Sequence, residues 1–218
     1  MRAFCEMARR TKILLLISCG LLAAASLAQQ EMSTKGFHWE WRKSQELSRE
    51  QTISRLRLTP SQKSDLISTI ILQMREDQAD HDAGSDKELR EIAEKTNVAF
   101  VDFDGHGRNE IVAQGSGEDA CSPTGNCPFW ILRHGRDGYR VILDADSTQT
   151  FTIQSSRTNG FSDIVLGMHG SATDSTLTIY KFDGSKYRDA GCYEANWGIV
   201  DKGGTWHDLK EPRLTRCN

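Results

Sequence analysis

The sequence has no large charge excess, no apolar run long enough to cross a bilayer, no tight cysteine pairs and no familiar hydrolase signature. Lys and Arg number 27 against 30 Asp and Glu, for a net charge of −3. Such a mixed, mildly acidic chain offers no electrostatic footprint for a polyanion, which excludes nucleic acid as a partner. The longest apolar stretch, Ile13 to Ala25, is too short to span a membrane and stops at Gln29-Gln30-Glu31. The spacings of 6, 65 and 25 residues between Cys121, Cys127, Cys192 and Cys217 do not supply the C-x₂₋₄-C units of a zinc site. No His-x-x-x-His pairs the scattered His134, His169 and His207. Gly167-Met168-His169-Gly170-Ser171 lacks the Gly-x-Ser-x-Gly order of a nucleophile elbow. Gly115-Ser116-Gly117 with Ser122 has no following helix whose N-terminus could hold a phosphate.

What is present begins with export. Arg9, Arg10 and Lys12 precede the apolar run, and Ser26-Leu27-Ala28 places small residues where a signal peptidase cuts. Residues 1–28 read as a cleavable signal, so the mature chain is secreted or periplasmic and has no transmembrane segment. A competing reading makes Leu16-Ile17-Ser18-Cys19 a lipobox with Cys19 as a lipid anchor, but apolar sequence continues to Leu27 where a polar tether would stand. Cleavage takes Lys and Arg to 23 and Asp and Glu to 29, a net charge of −6. It also removes Cys5 and Cys19, leaving four cysteines in an oxidising compartment. Three pairings exist; proximity in sequence favours Cys121–Cys127 and Cys192–Cys217. A hydrophobic content of 38% with 26% charged residues suits a globular domain.

Residues 29–57 are polar with no sustained period and read as a tether. Residues 58–96 carry two helices. Thr59, Pro60 and Gln62 form the start of the first, whose apolar face is Leu66, Ile67, Ile70, Ile71 and Met74. Ser85 and Glu88 cap the second, with Leu89, Ile92 and Ala93 as its stripe. From 97 to 218 the runs around Val98, Phe129, Tyr139, Phe151 and Leu177 are rich in β-branched and aromatic residues, and Asp137-Gly138 and Asp183-Gly184 mark hairpins. No convincing helix separates them, so the expected fold is mainly β with a helical N-terminal part (α+β): an antiparallel sheet or small β-sandwich of about eight strands. Gly107–Ala113 can be laid on Gly160–Leu166 at an offset of 53, giving two repeat-like units of one strand, a tight loop and three more strands. Two units cannot close a propeller.

One stretch carries chemistry: Asp102-Phe103-Asp104-Gly105-His106-Gly107-Arg108-Asn109-Glu110. Oxygen side chains at positions 1, 3 and 9, with Gly at 6, converge on a hard cation; Asp102, Asp104, Glu110 and the Arg108 carbonyl are the candidate calcium ligands. The stretch resembles the calcium loop of FG-GAP and VCBS-type repeat proteins over residues 98–115. That resemblance implies Ca²⁺ at the acidic positions and a role in adhesion or ligand display. His106 stands at position 5 where the family has Asp or Asn. In the second copy Ser155, Arg157 and Asn159 replace the acids and only Asp163 is kept. The alternative for the first loop is a hydrogen-bonded turn whose carboxylates cap backbone N–H groups.

Two functions follow. The first is an exported, non-enzymatic binding or scaffold module with a protein or glycan ligand; Trp130, Trp197 and Trp206 are either part of a binding face or core residues. The second is an extracytoplasmic hydrolase using Asp102, Asp104, Glu110 and one of the scattered histidines around a metal. Depth separates them, since a catalytic site lies in a concavity with polar groups from several segments.

Overall fold

A computed structural model of the chain describes residues 44–45, 51–77 and 84–217. The expected signal segment, Cys19 with its lipobox, and most of the 29–57 stretch lie outside these residues. Both helices start as their sequences dictate. Helix α1 (Pro60–Asp77) opens on a reciprocal cap: the Gln62 N–H donates to Thr59 Oγ1 (3.3 Å) and the Thr59 N–H to Gln62 Oε1 (3.1 Å). Helix α2 (Asp86–Lys95) opens on the same device between Ser85 and Glu88. Leu66, Ile67, Ile70 and Met74 of α1 and Leu89 and Ala93 of α2 are buried in one cluster.

That cluster continues upstream. Thr52 bridges to Asn97, and the short 3₁₀ turn Ile53–Arg55 buries Ile53 completely, with Leu56 beside it. Residues 51–57, read from sequence as part of a tether, therefore belong to the helical core. Two apolar residues three apart set up no period, so only tertiary packing distinguishes them from linker.

The strands form two antiparallel sheets. In the first, β2 (Asn97–Val101), β3 (Glu110–Gln114), β4 (Cys127–Gly135) and β5 (Gly138–Thr148) follow one another as a meander. In the second, β6 (Thr150–Thr158), β7 (Phe161–His169), β8 (Asp174–Phe182) and β9 (Tyr187–Val200) repeat that meander. It is extended by β10 (Trp206–Arg216) at one edge and by the two-residue β1 (Ser44–Gln45) at the other. Each sheet is thus built on one copy of the sequence repeat, with Glu110 opening β3 where Asp163 lies in β7.

The first sheet is the middle layer of three. Ile111, Ala113, Trp130 and Leu132 point to the helices, while Val112, Phe129 and Ile131 alternate to the other face and pack with Phe151, Ile164, Leu166 and Phe182 of the second sheet. Burial on both faces is why Phe129-Trp130-Ile131-Leu132 is a continuous apolar run instead of an alternating one. Both cysteine pairs expected from proximity lie at disulfide-bonding distance, with Cα separations of 4.2 Å for Cys121–Cys127 and 5.3 Å for Cys192–Cys217. No helix of the described residues is long and apolar enough to cross a membrane.

Candidate functional site

The acidic loop joins β2 to β3, and its carboxylates are occupied by the protein itself. Asp102 accepts the N–H groups of Gly105 (2.7 Å) and Gly107 (2.9 Å), both of which sit at positive φ, the conformation for which glycine is suited. Asp104 Oδ1 accepts the His106 N–H at 2.9 Å, and Glu110 Oε2 accepts the Phe103 N–H at 3.3 Å. The remaining oxygens face a guanidinium. Arg133, on β4, places Nη2 2.8 Å from Asp104 Oδ2 and Nε 3.2 Å from Glu110 Oε1. Its Cζ also lies 4.9 Å from the centre of the Phe161 ring in the second sheet.

This donor set does not fit a calcium ion as arranged. Calcium takes six to eight oxygens; here Arg133 holds the oxygens of Asp104 and Glu110 that backbone N–H groups leave over. Among the described residues no group of three metal-ligating side chains is placed to hold a metal. The His106 side chain is largely exposed, with Nδ1 3.3 Å from Asp104 Oδ1, and the exposed Arg108 approaches Asp104 Oδ2 only to 3.8 Å. Arg108 therefore adds positive charge beside Asp104. Burial pushes the Asp104 carboxyl up, but the N–H and imidazole of His106 outweigh it and hold the group below the usual carboxylate value. Glu110, almost wholly buried, is raised by desolvation against the opposing pull of the Phe103 N–H and Arg133.

The second copy has no such loop. Asn159-Gly160 makes a two-residue turn with both residues at positive φ, the conformation of a tight hairpin, and the strands extend to meet it. This turn docks on the first loop: the Ser162 N–H donates to the Phe103 carbonyl (3.0 Å), and Arg157 packs against Gly105 while donating to the Gly160 carbonyl (2.9 Å). Asp163 is buried, accepts from Ser156 Oγ at 2.8 Å, and keeps Oδ1 without a hydrogen-bond partner among the described residues. The acidic loop is thus a joint between the two repeats.

A concavity lies at the other end of β7. A groove of about 700 Å³ is lined by residues from β8, β9 and β10 and by Gly170 in the turn after β7. Nine residues of β7 at roughly 3.3 Å each put it on the order of 25 Å from the loop joint. Register aligns Asp174 with Asn196 and Asn196 with Arg213, and in the next row Thr176 with Glu194 and Glu194 with Thr215. Asp174 is fixed by Ser171 Oγ (2.7 Å), Thr173 Oγ1 (2.9 Å) and Asn196 Nδ2 (2.6 Å). Those hydrogen bonds hold its carboxyl below the usual range, led by Ser171 and Thr173. Among the described residues the side chains of Glu194 and Arg213 have neither a hydrogen-bond nor an ion-pair partner. At the end of the groove the Trp206 indole covers Gly198; a Cβ there would lie 1.5 Å from the ring. The indole nitrogen donates to Asp208 Oδ1 at 2.8 Å, and the residue is 40% exposed.

Of the three tryptophans singled out in the sequence, Trp130 is core, Trp197 is half-buried, and Trp206 alone lines the groove. His134 meets the Tyr139 ring, His207 pairs with Asp201 (3.0 Å), and the backbone of His169 is gripped by the Asn126 amide (2.7 and 2.8 Å). None of the three histidines lines the groove. Sequence reasoning missed Arg133, whose only signal is a charge directly after four buried apolar residues. It also missed the Asp174, Asn196, Glu194 and Arg213 rows, which only strand register brings together. No family model matches this chain, and no curated protein or solved structure matches it, so its function is argued from this geometry.

Proposed function

We propose that the protein is an exported, non-enzymatic binding module in which the acidic loop is architecture and the groove on the second sheet receives the ligand. The observation that carries this reading is the contrast between the two places. Each oxygen of the loop's three carboxylates already meets Arg133 or a backbone N–H group, whereas the groove presents the side chains of Glu194 and Arg213 on adjacent strands with no partner among the described residues. The two cysteine pairs agree with an extracytoplasmic location. The likeness of residues 98–115 to an FG-GAP or VCBS-type unit supports a display role, with the guanidinium of Arg133 standing where the likeness implies a cation. Against the hydrolase reading, the acids it names, Asp102, Asp104 and Glu110, are bonded to Arg133 and backbone N–H groups in the joint between the repeats and do not line the groove.

A thermal-shift screen of the full mature chain tests this. The panel comprises cellohexaose, chitohexaose, oligogalacturonate and a mixed pool of short peptides. At least one class should raise the melting temperature of the wild type and not that of the double variant Glu194→Ala/Arg213→Ala. Stabilisation that survives in the double variant would place binding elsewhere. Indifference to every class would remove the binding reading.

A further inference from the structure

We infer that the groove takes a neutral glycan of gluco-configured pyranoses, with Trp206 as the stacking platform; this rests on the binding-module reading above. Three features lead to that chemistry. First, the indole is a flat, half-exposed surface held in place from two sides. Its nitrogen is tied to Asp208, and its inner face rests on Gly198, which has no side chain to lift it. An exposed aromatic ring so fixed offers contact area with little entropy left to lose. Pyranoses with equatorial substituents present a flat C–H face of matching shape, whereas axial substituents would interrupt it.

Second, the polar groups beside the ring are of the kind that reads hydroxyls. The unpaired Glu194 side chain accepts, Arg213 donates, and Thr176 and Thr215 do both, while Asp174, with both oxygens already bonded to Ser171, Thr173 and Asn196, fixes the floor beside them. Vicinal hydroxyls act as donor and acceptor at neighbouring atoms, so one ring can satisfy a carboxylate and the guanidinium together. Asn196 is already committed, with Nδ2 on Asp174 and Oδ1 on the Gly198 N–H (3.2 Å), and it fixes the carboxylate in place.

Third, charge selects among glycans. Asp174, Glu194 and Asp208 outnumber Arg213, so a uronate or phosphate polymer meets net repulsion, while a neutral chain does not. The groove volume of about 700 Å³ lies within the range of small-molecule sites and leaves space for more than one ring.

The test is isothermal calorimetry with parallel tryptophan fluorescence, on the full mature protein, using cellohexaose, chitohexaose, oligogalacturonate and the mixed pool of short peptides as probes. Saturable binding of cellohexaose or chitohexaose is expected, with a fluorescence change that locates an indole at the site and no detectable binding of oligogalacturonate. Trp206→Ala should weaken that binding at least tenfold and erase the fluorescence change. Glu194→Gln, at an exposed and unpaired position, should weaken binding several-fold without moving the melting temperature, which keeps the test valid if Trp206→Ala folds poorly. Preference between the two hexamers shows whether the 2-substituent is read. Binding of oligogalacturonate in place of the neutral chains would overturn the inference. Groove-dependent binding of the peptide pool alone would also overturn it while leaving the binding-module reading standing. No groove-dependent binding of any class would end both readings. Release of shorter sugars would overturn the non-enzymatic assignment.

Discussion

Arg133 decides how the acidic loop behaves. It is the residue that neutralises two buried carboxylates and touches both sheets. Removing one partner of a buried pair costs about 3–5 kcal/mol because the other charge is left unpaired. The guanidinium is 22% exposed, so Arg133→Met is expected near the lower end, about 3 kcal/mol, read as a reduced urea midpoint. Arg133→Lys should recover only part of this, since a single ammonium cannot reach Asp104 and Glu110 as a planar fork does. Tyr187 offers a second test at this scale. Burial, with Glu110 and Asp163 nearby, pushes its hydroxyl well above the ordinary tyrosine value, and it donates to the Ser162 carbonyl at 2.9 Å. A raised folded-state pKa means the stabilisation is present below pH 10, the unfolded value, and declines as pH rises beyond it. Denaturation followed from pH 8 to pH 11 should therefore show stability falling above about pH 10. Tyr187→Phe should flatten that limb in part, because Tyr139 and Tyr180 are raised by burial as well.

Among elements, β10 has the most to lose and was the least legible. It is exposed along most of its length, carries Lys210, Glu211 and Pro212, and shows neither alternation nor an apolar run. Such features blunt a sheet edge against pairing with other chains, and they also hide a strand from pattern reading. Helices α1 and α2 were legible down to their caps because capping boxes and apolar stripes are local signals. Strands β3 and β4 were legible because burial on both faces makes their central residues continuously apolar. The second copy, where only Asp163 of the acids is kept, reads as a turn without a metal, and it folds as the two-residue Asn159-Gly160 hairpin turn. The register that assembles the groove was beyond reach, because it depends on the irregular stretch of β10 between Asp208 and Arg213. What holds β10 is its pairing with β9 and the Cys192–Cys217 link at its far end, where the Cys217 N–H also donates to the Cys192 carbonyl (3.1 Å). On the chain-entropy model a loop of 25 residues is worth roughly 3 kcal/mol, so Cys192→Ala/Cys217→Ala should lower stability by about that amount. Hydrogen exchange should show the loss of protection concentrated in residues 193–216. The corresponding Cys121→Ala/Cys127→Ala variant closes a much shorter loop and should cost less.

In the whole molecule, the two repeats form adjacent sheets joined at one end by the acidic loop and the Asn159-Gly160 turn, with helices over the outer face of the first sheet. A cation is needed where Asp104 and Glu110 meet, and the protein supplies one from its own β4 strand. On the proposed reading, that substitution makes the joint independent of metal. Calorimetric titration of Ca²⁺ into the chelator-treated, purified protein, with melting followed in parallel, tests this most directly. The account predicts no binding heat and a melting temperature indifferent to millimolar Ca²⁺ or chelator, with His106→Asp giving no gain in either. Saturable Ca²⁺ binding that raises the wild-type melting temperature and disappears in Asp102→Ala would contradict it, because Arg133 would then have to leave the carboxylates it is assigned to hold.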